Sequence, residues 1–161
     1  AYAMTGWRLG YAAGPKAIIK AMTDIQSQVT SNPTSIAQWA GIEALSGPQD
    51  EVAKMVGEFD RRRRFIVPAI NAIPGVTCVM PKGAFYVFPN VSGLFGKRWK
   101  AGTLKGSADV CAFLLDEARI ATVAGVDFGS DAHIRLSYAT GLEMIKEGVS
   151  RMAAAVRVLE G

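Results

Sequence analysis

The chain has 161 residues, half of them hydrophobic and a fifth charged, with a formal net charge of +4. That is the length of about one ordinary domain, no apolar run approaches the roughly 18 residues a membrane span needs, and no charged-then-apolar secretory leader is expected. Cys78 and Cys111 lie far apart and form no CxxC, so a reducing, cytoplasmic setting is expected. His133 is the only histidine. A metal site would need a carboxylate cluster that the sequence does not show, and any Ser–His or Cys–His nucleophile pair would depend on that one ring.

In chain order, Trp7 to Ala13 alternates loosely and reads as a short strand ending at Gly14-Pro15. Pro15 suits the first turn of a helix, and Ile19, Met22, Ile25 and Val29 follow at helical spacing, which predicts a helix over 16–29. Ser31-Asn32-Pro33-Thr34 breaks it, with Asn32 as the cap and Pro33 as the first position of the next helix. That helix carries Ile36, Ala40, Ala44 and Leu45 and stops at Gly47-Pro48. A longer helix is predicted over 49–72, with Pro68 removing an internal hydrogen bond near Arg64 and kinking it. A long bent helix suits a bridge between two subdomains, so a soft boundary falls near 48–60.

After Pro74-Gly75 the texture changes. Val76–Met80 and Ala84–Phe88 read as strands about a Pro81-Lys82-Gly83 turn, and Asn90 to Gly106 reads as a surface excursion. Ser107 is placed to cap a helix whose apolar face is Val110, Phe113, Leu114 and Ala118, with Asp109 in the first turn. Ile120–Val123 and Ile134–Tyr138 are further strands around a Gly125–Gly129 loop. Thr140-Gly141-Leu142-Glu143 resembles a capping box for the last helix, which repeats Leu142, Ile145, Val149, Met152, Val156 and Leu159. Helices and short strands mixed in this order predict an α/β beginning followed by an α+β half.

The run Arg61 to Arg64 could mark a nucleic-acid patch. Glu58 and Asp60 stand beside it and no aromatics interleave, so a solvated, internally paired helix face is the simpler reading.

Three places could carry chemistry. Arg8 follows Thr5-Gly6, where a guanidinium beside a glycine turn suits a phosphate, although composition alone favours an ordinary ion pair. Arg135 sits inside an apolar strand. Either it faces water or it awaits an anion such as a carboxylate, and pattern alone leaves both open. Strand alternation puts Arg135 and Ser137 on one face, with Ile134, Leu136 and Tyr138 on the other. In Gly83-Ala84-Phe85-Tyr86 the two rings should point to opposite faces, one into the core and one toward a pocket.

Four stretches, "AYAMTGWRLGYAAGP", "SNPTSIAQWAGIEAL", "GAFYVFPN" and "HIRLSYATGLEMIKEG", resemble in this order the C-terminal half of fold-type I, class I pyridoxal-phosphate (PLP) aminotransferases, in the bacterial aspartate aminotransferase subgroup. The resemblance implies 1–50 as the remnant of the cofactor-binding large domain and 51–161 as the small domain with its bridging helix. It implies PLP as cofactor, an amino acid (aspartate by default) and a 2-oxo acid such as 2-oxoglutarate as substrates, and a homodimer with no nucleic-acid or membrane partner. By residue, it implies that Arg8 binds the cofactor phosphate, that Arg135 binds the substrate α-carboxylate, that Phe85 lies near the substrate, and that Ser31-Asn32 lies close to the neighbouring subunit's active site. The lysine that tethers the cofactor and shuttles the proton falls directly before Ala1 in the family, and Lys16, Lys20 and Lys82 do not replace it by motif. The chain alone is therefore expected to be inactive and, with half a domain's apolar surface open, to associate along the edge of its first strand. A β-elimination lyase, the ligand module of a transcription regulator and a non-catalytic dimerisation module are the alternatives that the resemblance leaves.

Overall fold

The computed structural model describes residues 1–159 as five helices and five short strands: α1 (Lys16–Val29), α2 (Ser35–Ser46), α3 (Asp50–Asn71), β1 (Tyr86–Val87), β2 (Arg98–Trp99), β3 (Gly102–Thr103), α4 (Ser107–Ala118), β4 (Val123–Ala124), β5 (Ile134–Ser137) and α5 (Leu142–Arg157). Two compact units divide the chain between Met55 and Val56, inside α3.

The first unit is α1, α2 and the start of α3. Where a strand was expected over Trp7–Ala13, the chain makes a 3-10 turn at Thr5–Trp7 and no strand. Arg8 caps that turn at φ 52°, and Ala3 stands at φ 53°. Left-handed backbone at two non-glycine residues breaks any extended run. The edge pairing expected of that strand therefore has no edge to use.

Helix α1 begins after Pro15 as predicted. Asn32 does not cap α2, because Thr34 occupies the cap position without a side-chain bond. Gln38 instead donates to the Pro33 carbonyl at 2.8 Å. Both helices are apolar on faces that these residues leave open: Met22, Ile25, Val29, Ile36, Trp39 and Leu45 are exposed, and Ala37 is the one buried apolar residue among the unit's described residues.

The second unit contains the core. A three-stranded antiparallel sheet runs β1-β5-β4, with Tyr86 opposite Ser137, Val87 opposite Leu136, and Val123 opposite Arg135. Helices α4 and α5 pack against each other, and α4 packs against β4 and β5. Phe113, Leu114, Ile134 and Met152 are fully buried, and the C-terminal end of α3 adds Ile66, Val67 and Ile70. Helix α3 continues to Asn71 with Pro68 inside it, and the ring lies on the exposed side. Pro68 forfeits one backbone bond, and the helix closes normally beyond it with Ala72 N–H donating to the Pro68 carbonyl at 3.1 Å.

No strand forms over Val76–Met80. Asn71 takes both backbone groups of Cys78, donating to its carbonyl at 3.0 Å and accepting from its N–H at 2.7 Å. The side-chain amide thus occupies the ladder groups that a neighbouring strand would need, leaving a single bridge between Thr77 and Asn90. The stretch Asn90 to Gly106 is anchored rather than an excursion. Val91, Leu94 and Leu104 are buried at 1% exposure or less, and β2 and β3 form a hairpin with Arg98 opposite Thr103.

Two further cap predictions fail. Gly106 is the cap residue of α4 and Gly141 that of α5, neither through a side chain. The Gly125–Gly129 loop contains a 3-10 turn at Gly125–Phe128. The arginine run pairs as expected: Arg61 with Glu58 at 2.9 Å, Arg64 with Asp60 at 2.6 Å, and Arg63 with Asp60. The Arg61 hydrogen bond holds the Glu58 carboxyl below its usual range, and Arg63, then Arg64, do the same for Asp60.

Candidate functional site

Arg135 occupies the second position of β5, the central strand of the sheet. Its neighbours Ile134 and Tyr138 are buried on the other face, so the side chain leaves on the face that Ser137 shares. Its guanidinium carbon lies 4.5 Å from the centroid of the Tyr86 ring and 4.5 Å from that of Phe128. Tyr86 belongs to β1 and Phe128 to the 3-10 turn after β4, so the two rings come from opposite neighbours of β5. Among the described residues Arg135 has no carboxylate partner and donates no hydrogen bond, unlike the arginines of α3. A half-buried cation of this kind, held by ring faces, has donors and charge that no protein anion among the described residues takes up.

Phe128 is itself supported. Phe88 meets it edge-on at 6.2 Å and stacks on His133 at 4.9 Å with an 8° angle between the planes. His133 Nδ1 lies 2.7 Å from Ser130 Oγ. The only histidine therefore serves packing and a local hydrogen bond.

Phe85 lies just outside β1, so the alternation rule does not separate it from Tyr86. Their ring centroids are 4.4 Å apart, which corrects the expectation of opposite faces. The Phe85 ring also packs against Phe59 at 6.1 Å, and 36% of the residue is exposed. Ala84 before it holds φ 58°, and its carbonyl accepts from Tyr138 Oη at 2.8 Å. Burial raises the Tyr138 phenol above its usual value and keeps it neutral. The structure thus brings Phe85, Tyr86, Phe128 and Arg135 into one cluster. Phe128 escaped sequence reasoning because nothing in a glycine-flanked loop says which way its one aromatic residue turns.

Arg8 belongs to the first unit. It is exposed, and Nη1 donates to the Thr5 carbonyl at 2.9 Å, leaving the remaining donors without protein partners among the described residues. Ser31 adopts a left-handed conformation at φ 66°. Lys20 pairs with Asp24 at 2.8 Å, and Lys16 and Lys82 are exposed. No group of His, Cys, Asp and Glu among the described residues could hold a metal, and no helix there is long and apolar enough to cross a membrane.

The family model described as aminotransferase class I and II matches residues 1–152. The chain is 49% identical over 156 residues to an aspartate aminotransferase of Rhizobium meliloti (strain 1021), covering 96% of this chain and 38% of that protein. It is 51% identical over 156 residues to an aspartate/prephenate aminotransferase of Cereibacter sphaeroides, covering 96% and 39%. Among solved structures, the aspartate aminotransferase from Rhizobium meliloti superposes with a TM-score of 0.94 at 48% identity, over 99% of this chain and 40% of that one. The aromatic aminotransferase from Pyrococcus horikoshii OT3 gives 0.84 at 36% identity, over 96% and 40%. The chain spans about two fifths of the length of these relatives. The fold, the order of the motifs and the extent of the match show that the chain belongs to the aminotransferase class I and II family.

Proposed function

We propose that residues 1–161 are the C-terminal part of a PLP-dependent aminotransferase that moves an amino group between an amino acid, aspartate first, and a 2-oxo acid such as 2-oxoglutarate. The observation that carries this is the Arg135 guanidinium, which has ring faces around it and no anion of its own. A planar fork with free donors binds a carboxylate through two parallel hydrogen bonds. Both substrates of such a transfer carry a carboxylate next to the reacting carbon, so one fixed arginine orients both. Phe85, against the same cluster, shapes the apolar side of that position.

Arg8 is the cofactor residue of this reading. An exposed guanidinium with one N–H taken by a carbonyl and the rest free suits a phosphate. The cofactor, when bound, supplies the electron sink that lets the amino group leave one carbon and join another. This chain's residues hold its phosphate and the substrate carboxylate; the lysine that tethers it falls before Ala1 on this reading. Residues 1–50 are then the end of the large domain and 51–161 the small domain, in keeping with two compact units. Two free cysteines support a reducing cytoplasm. The apolar residues that α1 and α2 leave open support their burial by the rest of the polypeptide and by a second copy in a homodimer.

The test is amino transfer by the full-length polypeptide that, on this reading, contains residues 1–161. Aspartate and 2-oxoglutarate are expected to be turned over, and Arg135→Lys to raise the KM of both at least about tenfold, because an ammonium cannot make the two parallel bonds. No transfer, or an unchanged KM in Arg135→Lys, overturns the proposal. Residues 1–161 alone are expected to show no turnover, and stoichiometric borohydride trapping of PLP on one of their lysines would contradict that.

A further inference from the structure

We propose that Tyr86 and Phe128 are positioning residues for Arg135, a pair of rings that fixes the guanidinium edge-on for an incoming carboxylate. The proposal rests on the reading of Arg135 as the carboxylate binder. Each ring centroid stands 4.5 Å from the guanidinium carbon. One ring comes from β1, paired to β5 with Tyr86 opposite Ser137, and the other from the turn that follows β4, paired to β5 with Val123 opposite Arg135. Strand β1 on one side of β5, and the turn that follows β4 on the other, thus each contribute one ring to the same cation.

The two supports differ in how they are held. The Tyr86 ring packs on Phe85 at 4.4 Å. The turn that carries Phe128 is tied to the start of α4, with Val126 N–H donating to the buried Ser107 Oγ at 3.2 Å. Phe88 backs the Phe128 ring, and His133 backs Phe88. An arginine chain ordered in this way has lost its rotamer freedom on folding, so binding an anion does not exact that loss again. Rings stabilise the cation without neutralising it, whereas an aspartate at the same place would consume the donors, as Asp60 does for Arg63 and Arg64.

The experiment uses the full-length, PLP-loaded polypeptide with Tyr86→Leu, Phe128→Leu and Tyr86→Phe, and reads steady-state kinetics together with the Kd of an unreactive dicarboxylate by calorimetry. Removing either ring is expected to raise KM for the amino acid and the oxo acid about three- to tenfold and to weaken the dicarboxylate by the same factor, with kcat within about twofold. Tyr86→Phe, which keeps the ring, is expected to restore KM to within about twofold of the wild type. Unchanged KM and Kd in both leucine variants overturn the proposal, as does a Tyr86→Phe variant as impaired as Tyr86→Leu, which would put the effect in the hydroxyl. Should Phe128→Leu lose its fold in circular dichroism, the two Tyr86 variants decide alone. A wild type that transfers no amino group overturns the underlying reading. An active wild type sensitive to Arg135→Lys but not to ring removal overturns only this proposal.

Discussion

Asp131 holds Ser107 through one carboxylate oxygen, which accepts from the Ser107 backbone N–H at 2.8 Å and from its hydroxyl at 2.7 Å. The serine that the sequence offered as a helix cap is instead the first residue of α4, fully buried and preceded by the cap residue Gly106, and its N–H is taken by a carboxylate from 24 residues further on. The Ser107 oxygen also accepts from Val126 N–H at 3.2 Å. One hydroxyl therefore joins the start of α4, the loop before β5 and the turn that presents Phe128.

Replacing Ser107 with alanine removes the hydroxyl donor to Asp131, keeps the backbone N–H donor, and takes away the acceptor of the Val126 N–H. Each lost hydrogen bond of this part-buried kind costs about 0.5–1.5 kcal/mol, and a denaturant titration of S107A is expected to show a loss of about 1–2 kcal/mol. The pH dependence has a definite sign. The Ser107 hydroxyl, then its N–H, holds the Asp131 carboxyl below its ordinary value. A depressed carboxylate contributes stability above the ordinary range and loses it as pH falls through the lowered value. The gap in stability between wild type and S107A is expected to be full at pH 7 and to narrow in acid below about pH 4. A gap that widens in acid would contradict the assignment.

A second prediction concerns Gly125, the first residue of the Phe128 turn. A Cβ built there would collide with the backbone carbonyl oxygens of His133 and Ser130. Neither can retreat cheaply: the His133 carbonyl already accepts from Gly125 N–H at 2.8 Å, and His133 N–H donates to the Ser130 carbonyl at 3.1 Å. Gly125→Ala is expected to destabilise the second unit by about 1–3 kcal/mol. In the full-length polypeptide it should also raise the amino-acid KM, since the Phe128 ring moves with the turn. A stable variant with unchanged KM would show that the turn tolerates displacement.

The helices were legible in the sequence because their apolar residues recur at three and four and their ends carry Pro15, Gly47 and Gly141. The strands were less so. They are two to four residues long, too short for a period of two to stand out, and one apparent strand was claimed by a side chain when Asn71 bound both backbone groups of Cys78. The opening stretch misled for a different reason: a left-handed Arg8 leaves no trace in residue type. Arg135 was visible as a charge inside an apolar strand, but not the rings around it, because Phe128 arrives through a turn whose direction is set by Ser107 and Gly125.

A third prediction tests Tyr138, 1% exposed, whose hydroxyl donates to the Ala84 carbonyl at 2.8 Å. That bond ties the residue that follows β5 to the residue before Phe85. Tyr138→Phe keeps the ring and loses the bond, and a loss of about 1 kcal/mol is expected by thermal or denaturant unfolding. Burial raises the phenol above its ordinary value, so the neutral form is the one the fold holds. Stability from this group is therefore present below the ordinary tyrosine range and is lost as pH rises through the raised value. Alkaline titration followed by ultraviolet absorbance should show one fewer late-titrating phenol in Y138F.

A fourth prediction follows from the apolar faces of α1 and α2. Val29 is 73% exposed, Ile36 70% and Trp39 71%. Exposed apolar patches beyond a few hundred Å² drive association in water. Residues 1–161 alone are expected to scatter light with a mass of at least two chains, and Trp39→Glu is expected to shift them toward the monomer by placing a charge on that face. The second unit has its own buried core around Phe113 and Met152, so its unfolding transition should stay nearly unchanged in the same variant. In the full-length polypeptide those faces are expected to be covered, and Trp39 fluorescence should then be shielded from iodide quenching, while in the 161-residue chain with Trp39→Glu absent it should become more accessible as dilution releases monomers. A 161-residue chain that is monomeric at every concentration would show that α1 and α2 keep these faces in water at no cost to solubility.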